Sequence, residues 1–82
     1  MPARHQHRFV ETYEGMIAFG YSREDDERSL IAFLQKFSDD EVMRLLSQRL
    51  TDNEIEELFD HLSQLLKRHL TGEEYHLYFL KE

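Results

Sequence analysis

The stretch 50-LTDNEIEELFDHLSQLLKRHL-70 decides the fold of this chain. It begins with a capping box, in which the Thr51 hydroxyl can accept a hydrogen bond from the N–H of Glu54 and the Glu54 carboxylate can accept one from the N–H of Thr51. Apolar residues then recur at every third or fourth position, which is the period of one helix face. The stretch therefore predicts a long amphipathic helix, whose apolar positions are Ile55, Leu58, Phe59, Leu62, Leu65, Leu66 and Leu70.

The same combination of residues recurs in "FSDDEV" and in "LTGEEY". Ser38 with Glu41, and Thr71 with Glu74, repeat the spacing of the capping box, and Ser22 begins a weaker version. The distances between these stretches are unequal, which argues against an internal repeat that binds a ligand. We interpret them as the starts of helices.

Apolar residues between these caps predict the remaining elements. Helices are expected near 23–36 and 39–49, and a short, densely apolar helix is expected after Thr71. The segment 8–19 also suits a helix, which Gly20 would close in a left-handed conformation. An alternative remains open for the chain ends, because "VETYEG" and "YHLYFL" could instead pair as two strands.

The predicted fold is all-α, a compact orthogonal array of four to five short helices. Turns of one to three residues are too tight for a long up-and-down bundle, so successive helices should cross at steep angles. We expect residues 8–82 to form a single helical domain and residues 1–7 to form a mobile N-terminal tail.

Composition limits the classes of function. A chain of 82 residues builds one domain with a thin core. The chain has no Cys, which excludes disulfides and thiolate metal sites and indicates a cytoplasmic protein. Its net charge is −7, and residues 22–82 contain fifteen of the seventeen Asp and Glu residues. Such a surface repels phosphate and anionic lipid, so neither nucleic acid nor a membrane is the expected partner.

Histidines and carboxylates are the candidate metal ligands. Glu73 and His76 form the chain's single E-x-x-H, which is half of what a di-iron bundle requires. His61 and His69 precede them at spacings of fifteen and seven residues from His76. We predict no metal site and no cofactor. A small metal- or ligand-binding protein that uses His61, His69, His76 and Glu73 is the alternative hypothesis.

No catalytic residue is predicted. A nucleophilic Cys is absent, and the prominent hydroxyls of Ser38, Thr51 and Thr71 are assigned to helix caps. Three isolated glycines cannot build a phosphate-binding loop. We therefore expect that the protein is not an enzyme.

Two short helices that meet at "QRLTDNEI" raise the possibility of a helix-turn-helix. Its recognition helix would start with Asp52, Asn53 and Glu54, and the carboxylates of Asp52 and Glu54 would repel the DNA backbone. A regulator that binds nucleic acid is the second alternative.

The C-terminal stretch "EYHLYFLKE" is apolar around its whole circumference. A single short helix cannot bury such a segment on one face, so it either inserts into the core or faces another chain. On the second interpretation the protein acts through protein–protein contact and self-associates, with a homodimer possible. The predicted interaction surface is Tyr75, Leu77, Tyr78, Phe79 and Leu80, joined by Phe9 and Tyr13.

Three stretches carry a resemblance that covers nearly the whole chain: "FVETYEGMIAFGYSREDDERSL", "FLQKFSDDEV" and "KRHLTGEEYHLYFLKE". In these stretches the chain resembles a group of small uncharacterised bacterial cytosolic proteins. The resemblance implies a cytosolic location, and it implies no activity, substrate or catalytic residue.

Overall fold

A computed structural model describes residues 7–82, and over this range the chain is all-α with no strand. The predicted all-α class of short helices is thereby confirmed, and the alternative of paired terminal strands is wrong. The elements are α1 Phe9–Thr12, α2 Arg23–Phe37, α3 Asp40–Arg49, α4 Asp52–His69, α5 Gly72–Glu74 and a π-helix Tyr75–Phe79.

The described residues divide into two compact units, 7–48 and 49–82. The expected single domain over residues 8–82 stays a prediction. Most of the predicted tail, residues 1–6, lies outside the described residues, and His7 at its end contacts Ser38 through Nε2 and Oγ at 2.6 Å.

Local capping chemistry sets the start of the last two α-helices. Thr51 Oγ1 accepts from the Glu54 N–H at 3.1 Å, and Glu54 Oε1 accepts from the Thr51 N–H at 2.8 Å. Thr71 and Glu74 form the same reciprocal pair at 3.1 and 2.8 Å. Ser22 caps α2 by accepting from the Asp25 N–H. These predicted caps are confirmed.

The predicted cap at Ser38 is wrong. Helix α2 runs on to Phe37, and Ser38 ends it by donating its backbone N–H to the Leu34 carbonyl at 2.9 Å. Asp39 takes the capping role for α3, because its carboxylate accepts from the Glu41 N–H at 3.0 Å. A residue that closes one helix in a near-helical conformation cannot take the extended conformation that an N-cap requires. The helix consequently starts at Asp40, one residue later than predicted.

The predicted helix over 8–19 is also largely wrong, because helical structure there is limited to Phe9–Thr12. Tyr13 leaves the helix, and its hydroxyl donates to the Met16 carbonyl at 3.1 Å. A Cβ on Gly15 would lie only 2.5 Å from that hydroxyl, so the folded-back ring requires glycine at this position. Gly20 does adopt positive φ, at 93°, but in a bend outside any helix.

In the unit of residues 7–48, the N-terminal segment lies along α2. Ser29 is fully buried, and its hydroxyl accepts from the Ala18 N–H at 3.0 Å and donates to the Ala18 carbonyl at 2.9 Å. Ala32 is also fully buried, one turn further along the same face. The side-chain oxygen of Gln35 accepts a hydrogen bond from the Val10 N–H at 3.0 Å. Small side chains on this face of α2 therefore allow the irregular segment to approach closely.

Candidate interaction surface

Most apolar side chains of the described residues remain in contact with water. Within residues 7–82, only Ser29 and Ala32 are buried. The chain length predicts a thin core, and the apolar helix faces are accordingly left largely exposed. On α2, for example, Leu30, Phe33 and Leu34 are each more than two-fifths exposed.

In the unit of residues 49–82, helix α4 carries the clearest of these faces. The helix has 18 residues, so it is about 27 Å long. We call Ile55, Leu58, Leu62 and Leu65 the α4 stripe. All four side chains are exposed, Ile55 to 46% and Leu62 to 42%. Their alternating spacing of three and four residues places them in one line along the helix.

Charge is divided along α4. Its N-terminal half, from Asp52 to Asp60, contains five carboxylates and no Lys or Arg. Its last turn contains Lys67, Arg68 and His69. This order suits the helix dipole, which favours negative charge at the N-terminus and positive charge at the C-terminus. The helix therefore presents one acidic half and one basic end beside the same apolar stripe.

The interaction surface predicted at the C-terminus forms one continuous segment in the structure. We call this segment the C-terminal cluster, and it consists of Tyr75, Leu77, Tyr78, Phe79 and Leu80. Leu77, Tyr78, Phe79 and Leu80 are exposed, with Tyr78 at 62%, and Tyr75 is half-buried. Because these side chains retain contact with water, they are available to another molecule.

The backbone of this segment is wider than an α-helix. The Leu80 N–H donates to the Tyr75 carbonyl at 3.0 Å, a bond that spans five residues. The rings of Tyr75 and Phe79 stack with their centroids 5.2 Å apart. Lys81 ends the segment at φ 60°, and the Glu82 N–H returns to the His76 carbonyl. A left-handed residue of this kind is a common way to end a helix.

A groove of about 720 Å³ lies between the C-terminal half of α4 and the start of the C-terminal segment. Phe59 and Leu66 line one side, and Tyr75 lines the other. Polar side chains of α4 also line the groove, among them Ser63 and Lys67. The groove therefore lies beside the outer side of α4, and its lining includes Tyr75 of the C-terminal cluster but no residue of the α4 stripe.

Phe9 and Tyr13, which were expected to join this surface, belong to the other unit. Both side chains are half-buried, and their rings stack at a centroid distance of 5.0 Å.

The candidate metal ligands do not form a site in the part of the chain that the structure describes. Over residues 7–82, no three His, Asp or Glu side chains come together in a way that could hold a metal ion. His61, His69 and Glu73 are exposed on the helices. His76 contacts the Glu82 carboxylate through Nδ1 at 2.9 Å.

No known protein family, curated protein or solved structure matches the chain. Among the helices of residues 7–82, none combines the length and the apolar character needed to cross a membrane. The resemblance to small bacterial cytosolic proteins stays a prediction.

Proposed function

We propose that the protein acts through protein–protein contact and that it self-associates through the unit of residues 49–82. The observation that carries the proposal is the exposure of two apolar surfaces in this one unit, the α4 stripe and the C-terminal cluster. Together they account for Ile55, Leu58, Leu62, Leu65, Leu77, Tyr78, Phe79 and Leu80.

The energetic reason is the cost of leaving these side chains in water. Burial of apolar surface contributes about 25 cal/mol for each Å² removed from water. A chain of this size also forms few contacts within itself and gains stability when another chain covers its apolar surface. Association of two copies through this unit would remove apolar surface of both copies from water without any further partner.

The proposed location is the cytoplasm. It is supported by the absence of Cys, since small secreted domains usually depend on disulfides. The net charge of −7 supports a protein partner over nucleic acid or anionic lipid, both of which it would repel.

Tyr78→Ser is expected to weaken self-association about tenfold, because an aromatic side chain within an interface contributes more to its affinity than most other residue types. Tyr21→Ser is the matched control, since Tyr21 is 80% exposed but lies in the other unit. Light scattering from micromolar to millimolar protein measures both variants. A wild-type chain that stays monomeric over this range would remove self-association from the proposal. Equal weakening of self-association by the two variants would mean that the C-terminal cluster is not part of the interface.

A further inference from the structure

We propose that the α4 helices of two copies pack against each other in antiparallel orientation, with the α4 stripe as the seam. The inference rests on the proposed self-association and names the occupant of the exposed face of α4, which is the same helix of a second copy. Three features of α4 support it. They are the spacing of the stripe, the division of charge along the helix and the lack of an ion pair at Arg68 within residues 7–82.

The spacing of the stripe is that of a two-helix seam. Ile55 and Leu62 are seven residues apart, as are Leu58 and Leu65, and the two pairs interleave at intervals of three and four residues. This is the a and d pattern by which two helices pack knobs into holes. An antiparallel pair that overlaps the full helix sets Ile55 opposite Leu65 of the second copy. Leu58 then lies opposite Leu62 of the second copy.

The division of charge selects the antiparallel orientation. In a parallel pair, the acidic half of α4, which contains five carboxylates between Asp52 and Asp60, would lie beside the identical acidic half of the second copy. In the antiparallel pair, each acidic half faces the basic end of the other copy. Complementary charge of this kind determines which orientation two helices adopt more than it determines how tightly they bind.

Glu54 and Arg68 form the specific contact. They are fourteen residues apart, so they flank the same edge of the stripe in equivalent seam positions. Arg68 makes no ion pair with any carboxylate of residues 7–82. Glu54 uses Oε1 to accept from the Thr51 N–H, which leaves its other carboxylate oxygen for the second copy. The twofold pair therefore contains two contacts between Glu54 and Arg68.

Within one chain, Glu54 and Arg68 are about 21 Å apart along the helix, because each residue adds about 1.5 Å. Direct interaction between them inside a chain is negligible at that distance, which exceeds the Debye length at moderate salt. Any energetic coupling between the two residues in the association equilibrium therefore reports contact between two chains.

A double-mutant cycle on the full chain tests the pairing. Arg68→Glu is expected to weaken self-association about tenfold at about 0.1 M salt, because it places Glu54 against a like charge in two symmetric contacts. Adding Glu54→Gln, which keeps the capping box, should recover about threefold of that loss. Glu56→Gln is the matched control, since Glu56 lies two residues along on the opposite face of α4 and should recover nothing. Sedimentation velocity measures the dissociation constants, and 1 M salt should remove the coupling.

Single cysteines test the orientation, because the chain has no Cys of its own. His61 lies at the centre of the antiparallel pair, so His61→Cys should form a disulfide between copies. Arg68→Cys and the outward-facing Asp60→Cys should not. A chain that is monomeric at millimolar concentration would overturn the proposed self-association and this inference together. An association that shows no coupling, or that yields the disulfide at residue 68, would overturn the antiparallel pairing alone.

Discussion

A chain in which Leu62 is replaced by Glu should stay monomeric at concentrations at which the wild type self-associates. Leu62 lies in the middle of the α4 stripe, and in a twofold pair the substitution occurs twice. A central interface side chain contributes about 2 kcal/mol, so two copies contribute about 4 kcal/mol. That amount corresponds to a roughly thousandfold weaker association.

The same substitution should leave the folded monomer intact. The Leu62 side chain is already 42% exposed, and Glu and Leu have similar helix propensities. Gln64→Glu adds the same charge on the outer face of α4 and serves as the control, with association close to wild type. Sedimentation velocity gives the association, and circular dichroism gives the helix content. Association of Leu62→Glu at wild-type strength, or loss of its helix content, would contradict the prediction.

Ala32→Asp should have the largest effect on the stability of residues 7–48. Ala32 is fully buried on the face of α2 that carries the N-terminal segment. A carboxylate at this position would lose its hydration without gaining a compensating charge. An uncompensated buried charge costs about 3–5 kcal/mol. That is comparable with the whole stability of a small domain. We therefore expect the segment around Ala18 to detach from α2.

Urea denaturation and hydrogen exchange measure this effect. The Ala18 amide is bonded to the buried Ser29 hydroxyl, so its exchange should accelerate in Ala32→Asp. Ile31→Asp is the control, because it introduces the same carboxylate into α2 at a side chain that is 41% exposed. Equal destabilisation by the two variants would mean that the buried face of α2 does not hold the segment.

The helix starts could be predicted because capping is a local interaction. Thr51 and Glu54, and Thr71 and Glu74, need only their own four residues to form the reciprocal pair. Ser38 differs, because the end of α2 and the start of α3 compete for the same residue. The outcome depends on how far α2 extends, which the local pattern does not specify.

The irregular N-terminal segment could not be predicted from periodicity. Its apolar spacing fits a helix, but its structure depends on Tyr13 folding over Gly15 and on the bond from Ala18 to Ser29 eleven residues away. The small residues Ser29 and Ala32 were the available signal, since they permit close approach to α2. Their spacing of three residues places them on one face of α2.

For the candidate surface, the sequence names the residues of the C-terminal cluster, whose role as an interface stays a prediction, and it identifies the α4 stripe only as the apolar face of a helix. Periodicity shows that one face of a helix is apolar, and it does not show what covers that face. The apolar positions of α4 therefore predict the helix but not the surface that packs on it. The signal that distinguishes a seam between two copies is the combination of the three-and-four spacing with an acidic half and a basic end on one helix.

The most direct measurement is an isotope-filtered nuclear Overhauser experiment on an equal mixture of ¹³C-labelled and unlabelled chains. Contacts between copies should appear between the methyl groups of Ile55 and Leu65, and between those of Leu58 and Leu62. If these methyl groups show contacts only to residues of their own chain, then a segment of the same chain covers α4 and the antiparallel pair does not form.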